Sequence, residues 1–218
     1  MGDQLNRESR SRTYIRSETK ILAAALKVFA EAGFKGATLE AIAAHAGMSQ
    51  PNLHNYFKTK LQLYLRILDD ILDIWLEPIS ELAAAGDPAC EIRGYIRRKL
   101  ELSRCNPEAS RVFAHEMLDG APHLQPRLET VVKQQADLFA AIVNGWIAQG
   151  RMRPTCPYHL LFTLWATTQH YADFAPQVQA ILGQSRLSPA DFSRAAENLS
   201  EALLSGLLTT DGALLPSA

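Results

Sequence analysis

The sequence predicts an all-α protein, and three observations carry that expectation. Apolar residues recur at three- and four-residue spacing along most of the chain, no segment keeps the two-residue alternation of a strand for long, and Pro and Gly punctuate the periodic stretches. At 218 residues, 47% hydrophobic and 21% charged, the chain can bury a sizeable core, which excludes disorder for most of it.

Taken in order, residues 1–16 are polar, rich in Ser and Arg, and have little to bury, so they are expected to form a flexible basic arm. A first helix starts near Ser17, carries Ile21, Leu22, Ala25, Val28 and Phe29 at core spacing, and stops at Gly33. A short helix from about Thr38 to Ala46 closes at Gly47. Another, capped by Ser49 and tolerant of Pro51 in its first turn, runs to about Phe57. From about Thr59 a long helix carries Leu63, Ile67, Ile71, Trp75 and Ile79 toward Ala85, with Pro78 expected to bend it. Further helices are expected at 88–105, 107–119, 124–149, 157–174 and 189–208. The organisation is therefore an arm at 1–16, a small unit at 17–60 and a larger helical body at 61–218.

Charge separates the two ends. The chain has 22 Lys and Arg against 23 Asp and Glu, but residues 1–66 hold ten of the bases and five of the acids, 10 − 5 = +5, which leaves 12 − 18 = −6 for the rest. A basic end suited to a polyanion, joined to an acidic body, is one explanation; an accidental spread of surface charge is the plainer one. The longest apolar run, Leu160–Ala166 with Thr163 inside it, falls far short of the roughly 18 residues a membrane span needs. The run Ile21–Leu26 stops at Lys27, before the roughly 7–15 residues of a signal-peptide core. Cys90, Cys105 and Cys156 are odd in number and far apart, so neither a disulfide framework nor a CxxC pair is expected. These features predict a cytoplasmic protein with no membrane partner.

The segment from Gly33 to Lys60 reads as a helix-turn-helix. One short helix crosses the DNA backbone and the second enters the major groove, so the two need a tight turn and small residues where they meet. Ala43 and Ala46 permit the close approach, Gly47 supplies the left-handed turn residue, Met48 plugs the core and Ser49 caps the second helix. Leu39, Ile42, Leu53 and Phe57 form the buried side, leaving Gln50, Asn52, His54 and Asn55 outward. Amide side chains can make two hydrogen bonds to an adenine edge, which is what base reading asks of such a face. The competing explanation, a solvated face of an unrelated helix, does not account for the full spacing and the basic flanks.

Gly33-Phe34, Thr38, Ile42-Ala43, Ala46-Gly47, Ser49, Leu53, Tyr56-Phe57, Lys60 and Leu63 together resemble the N-terminal signature of TetR-type transcriptional regulators. The resemblance implies a three-helix DNA-binding domain, a larger helical domain that binds a small effector and dimerises, and a double-stranded DNA operator as partner. By the same resemblance Thr38, Tyr56 and Lys60 match phosphate-holding positions, and Gln50, Asn52 and Asn55 match recognition-helix positions. His54 and Asn55 stand where many members carry a tyrosine. The body, at Ile71–Pro78, Lys99–Arg104, Glu116–Pro122 and above all Trp165–Val178, resembles the branch of that family that controls pyrimidine utilisation. That likeness implies a uracil- or thymine-like effector, while relatives that share the domain and sense another compound form the alternative.

Trp75 and Trp165 could be core aromatics. Gln169 and Asp173, however, follow Trp165 at i+4 and i+8, so a flat ring, an amide and a carboxylate share one helix face. An amide both donates and accepts and can pair with the edge of a planar imide while an indole covers its face. Trp75, Trp165, Gln169 and Asp173 are thus the candidate effector residues. Dimerisation is expected through the last two long helices, with Leu161, Leu164, Leu199 and Leu203 buried between copies. His115-Glu116…Asp119 is one residue away from a HExxH zinc signature but lacks its second His, and no GxSxG, P-loop or GxGxxG occurs. No catalytic residue, metal or cofactor is expected, and a helical enzyme is the weaker alternative.

Overall fold

A computed structural model describes the backbone of residues 2–208 and the side chains of residues 14–208. Eleven α-helices occur among the described residues: α1 (Gly2–Gly36), α2 (Leu39–His45), α3 (Gln50–Leu53), α4 (Lys60–Ser80), α5 (Pro88–Cys105), α6 (Pro107–Leu118), α7 (Gln125–Arg127), α8 (Lys133–Ala148), α9 (Pro157–Asp173), α10 (Ala175–Leu182) and α11 (Pro189–Leu207). A π-helical turn, Leu128–Val132, joins α7 to α8, and an isolated bridge pairs Met152 with Leu208. The chain divides into two compact units. One runs to Ile71 and includes Arg111–His123; the other comprises Leu72–Ser110 and the chain from Leu124 onward. The first unit thus extends beyond the expected limit at residue 60 and recruits a later segment.

In the first unit α1 packs on α2, and α2 on α3, around fully buried Ile21, Ala25, Phe29, Ile42 and Leu53, with Leu63 and Ile67 added by α4. Burying such side chains contributes about 1.5–3 kcal/mol each. α1 begins at Gly2, so the backbone of the segment expected to be a flexible arm is helical. Beyond Gly2 that stretch has neither Gly nor Pro to stop a helix once the packed part of α1 has nucleated it. Gly33 carries the expected break, with φ 64° and ψ 177°, although one more helical turn follows it.

In the second unit α9 and α11 pack on α5, and α8 packs on α9. Ile92, Tyr95, Ile96 and Leu100 of α5 meet a core that includes Leu161 and Leu164, both fully buried. Those two leucines therefore cannot lie between two copies of the chain, as the spacing had suggested; the large exposed apolar side chains of α9 are Tyr158 and Phe162. Leu199 and Leu203 are half-buried. Helix ends are capped by side chains: Asp87 accepts from Cys90 N–H, while Ser188 and Asp191 form a reciprocal capping box at α11. α10 lies between the helices expected at 157–174 and 189–208, where none was expected; its Pro176 occupies a first-turn position that needs no N–H.

Candidate functional site

The turn between α2 and α3 is built by local chemistry. Thr38 Oγ1 accepts from Ala41 N–H at 3.1 Å and Ser49 Oγ from Asn52 N–H at 3.4 Å, so each helix starts at a hydroxyl cap. Gly47 N–H donates to Ala44 O at 3.1 Å and Met48 N–H to Ala43 O at 3.0 Å, a Schellman closure that needs Gly47 at φ 66°. A Cβ there would meet nothing within 4 Å, so conformation rather than space selects glycine. α3 is a single turn, shorter than expected, and the chain from His54 to Tyr56 continues as turns. Gln50, Asn52 and Asn55 are exposed, as the outward face requires, while His54 and Tyr56 are half-buried. The Tyr56 ring lies 4.6 Å from that of Tyr14. Met48, expected in the core, is half-buried.

Lys60 is already engaged. Its Nζ donates to Ala37 O at 2.8 Å and sits 4.6 Å above the Phe34 ring, which leaves two N–H groups for another acceptor. The Phe34 ring packs at a tilt against Tyr64 and His123, with centroids 4.8 and 4.6 Å away. Behind them Glu116, 3% exposed, accepts from Tyr64 O–H at 3.0 Å and from His123 N–H at 2.6 Å, and it also meets the His123 ring at 3.1 Å. Burial and the Glu116 carboxylate push the Tyr64 phenol well above its ordinary range. Of the imperfect zinc signature, Glu116 is thus absorbed into an aromatic and carboxylate cluster, while exposed Asp119 faces Lys35 at 3.5 Å.

In the second unit the four candidate effector residues have unequal surroundings. Trp165 is half-buried and its indole N–H donates to Tyr95 O–H at 2.9 Å. Gln169 is half-buried, and its amide makes no hydrogen bond to any described residue. Asp173 accepts from Ser110 Oγ, and burial raises its carboxyl above the ordinary value. Trp75 is 4% exposed, and its Nε1 is the one buried side-chain N or O without a hydrogen-bond partner among the described residues.

Lys99 was missed as a functional candidate in the sequence. It is 1% exposed, with Nζ 4.5 Å from the centre of the Trp75 ring and 3.3 Å from the Trp75 carbonyl oxygen. Burial pulls its ammonium down to about 7, partly offset by Asp173. One signal was available: Ile92, Tyr95, Ile96 and Lys99 follow core spacing, so the lysine occupies a slot where an apolar side chain is expected.

Sequence and structure together define a helix-turn-helix protein with a separate helical body. Residues 21–67 match the description "Bacterial regulatory proteins, tetR family" and residues 68–210 match "YcdC-like protein, C-terminal region". The chain belongs to the TetR family of transcriptional regulators. It is 44% identical over 198 residues to the HTH-type transcriptional regulator RutR of Escherichia coli, covering 91% of this chain and 93% of that protein. Its fold is similar to that of AibR solved with isovaleryl coenzyme A and operator DNA, at a TM-score of 0.68 and 20% identity, covering 86% of this chain and 97% of that one. These relatives are regulators, not enzymes. No helix among the described residues is long and apolar enough to cross a membrane.

Proposed function

We propose that this regulator is a cytoplasmic repressor that binds a double-stranded operator as a homodimer and leaves it when a pyrimidine, uracil or thymine, occupies the second unit. The similarity to RutR over nine-tenths of the chain supports the reading, and the observation that carries it is the Gln169 amide, half-buried and without a hydrogen bond, four residues from the Trp165 indole. An amide in that state matches the N–H and C=O edge of a planar imide, and an indole matches its face. Asp173 and Trp75 complete the proposed site. On the DNA side, Gln50, Asn52 and Asn55 read bases, while Thr38, Ser49, His54, Tyr56 and Lys60 serve the backbone. Phe162 and Tyr158 of α9 and Leu199 and Leu203 of α11 are the side chains left for the second copy.

An effector shifts such an equilibrium only through unequal affinity for the two states. Fluorescence anisotropy of a labelled operator, titrated with protein and then with uracil, thymine or 3-methyluracil, tests the reading. Uracil and thymine are expected to release the DNA; 3-methyluracil, which lacks the imide N–H, is expected to fail. Gln169→Leu should lose the response by about 1–3 kcal/mol per unpaired ligand group. Release by 3-methyluracil as effective as by uracil would overturn the role given to Gln169, and no release by either pyrimidine would overturn the effector.

A further inference from the structure

The second unit treats its three tryptophans unequally. The indole N–H of Trp146 donates to Ala84 O at 2.9 Å and that of Trp165 to Tyr95 O–H at 2.9 Å. Trp75 is buried as well, yet its N–H has no partner. A buried donor left unpaired bears the full cost of losing water, and folded proteins carry few of them. Lys99 stands over the same ring and is similarly incomplete. Among the described residues its three donors have one acceptor, the Trp75 carbonyl at a long 3.3 Å, and no salt bridge neutralises it. Asp173 on α9 is the charged group whose field reaches it, but that carboxylate is taken by Ser110. α4 offers Lys99 a ring face and one carbonyl. Two under-used donors thus meet at one indole, and no described residue supplies the acceptors that would match them.

We propose that the Trp75 indole N–H and the Lys99 ammonium form a donor pair that selects an effector by an electron-rich oxygen, a ring carbonyl or an ionised oxygen, at this point. The proposal rests on the effector reading above and deepens it: Gln169 pairs with an edge that both donates and accepts, whereas this pair, with Lys99 as the ammonium, only donates and so favours an oxygen over N–H, carbon or sulfur at this point. A site built to hydrogen-bond a substrate group discriminates strongly against the analogue lacking it, because its own donors then stay buried and unpaired. A second consequence follows from the charge. The unliganded lysine, pulled down to about 7 by burial, is largely neutral at pH 8. An oxygen ligand favours the ammonium, so binding takes up a proton from solvent.

Isothermal titration of the full-length protein at pH 8, in phosphate and in Tris, tests both parts. Wild type, Lys99→Met and Trp75→Phe are compared with uracil, 2-thiouracil, 4-thiouracil and a panel of non-pyrimidine oxygen ligands such as succinimide, hydantoin and short carboxylates. Circular dichroism and thermal melting confirm that each variant is folded. Uracil is expected to bind roughly 10- to 100-fold more weakly to Lys99→Met and several-fold more weakly to Trp75→Phe. One of the two thio analogues is expected to bind wild type more weakly than uracil does. The heat should differ between buffers through proton uptake in wild type and not in Lys99→Met. If uracil fails to bind but another oxygen ligand binds with the same losses in the variants, the donor pair stands and the pyrimidine reading falls. Equal affinities in wild type and the folded variants overturn the proposal, as does failure of every oxygen ligand to bind. Should Lys99→Met not fold, equal wild-type affinity for uracil and both thio analogues, with no loss in Trp75→Phe, overturns it as well.

Discussion

Glu116 in the first unit and Lys99 in the second are both buried charged-type side chains on helices, and the two are finished differently. Glu116 in the first unit has a donor on each side, Tyr64 O–H and His123 N–H, with the aromatic rings of Phe34 and Tyr64 packed around the imidazole. Lys99 in the second unit has one long hydrogen bond and a ring whose own N–H lacks a partner. A completed cluster is a structural joint, since nothing further can pair with it without displacing a partner. An incomplete one costs stability until something else completes it, and natural folds keep such defects where function needs them. The comparison therefore separates a tie that holds the first unit together from under-paired donors that we propose a ligand completes.

Opposite signs on substitution would establish that difference, and the largest effect is expected at the finished cluster. Glu116→Leu removes the acceptor and strands two donors, Tyr64 O–H and His123 N–H, at about 1–3 kcal/mol each. Chemical denaturation should show the loss; a change within 0.5 kcal/mol would mean that water already serves those donors and the contrast fails. At the unfinished cluster the sign reverses. Lys99→Met replaces an under-paired buried amine with an isostere that needs no partner, so the unliganded variant should be the more stable. Because the folded-state pKa lies near 7 and the unfolded one near 10.5, the unfolded chain binds the extra proton between those values, and wild-type stability rises with pH there. The advantage of Lys99→Met is thus full below pH 7 and shrinks by up to about 1.4 kcal/mol per unit as pH climbs. An advantage that does not vary with pH would show that Lys99 keeps its ordinary ionisation in the fold, as a solvated ammonium does.

The two kinds of region also differ in how far the sequence revealed them. The α2–α3 turn was legible because its causes lie within a few residues of one another: Thr38 and Ser49 cap, Gly47 turns, and Leu53 and Ile42 face inward. The length of α3 was overestimated because Tyr56 and Phe57 continue the apolar pattern after the helix has become turns. The Trp75–Lys99 contact joins residues 24 positions apart on two helices, and lysine is normally read as a surface residue, so only packing exposes it. Glu116 was hidden in the same way: its partner Tyr64 lies 52 residues earlier. Leu161 and Leu164 were assigned to a dimer face because periodicity locates an apolar stripe without saying whether the same chain or a second copy covers it.

The side chains proposed to face DNA give a third condition, exposed and served by water in the free protein. Gln50→Ala or Asn52→Ala should therefore leave stability within about 0.5 kcal/mol. Either should lose roughly 1–3 kcal/mol of discrimination at one base pair in each half-site. Competition anisotropy with single-base operator variants measures it, and equal weakening on operator and random DNA would reassign the residue to backbone contact.

Lys60 lies between these conditions and gives the smallest expected effect. Its ammonium donates to Ala37 O and covers the Phe34 ring, so part of its hydrogen-bonding capacity is committed before DNA binds. If the remaining donors meet a phosphate, one counterion contact is lost in Lys60→Ala, and the slope of log affinity against log salt should flatten by about one unit per protomer. Affinity should fall by a similar factor on operator and random DNA, since a phosphate carries no sequence information. Lys58, which is exposed, is the matched control for loss of charge alone. A flattened slope in Lys58→Ala with an unchanged slope in Lys60→Ala would place Lys60 with Glu116, as a group whose partners lie inside the first unit, and would give the phosphate contact to its neighbour.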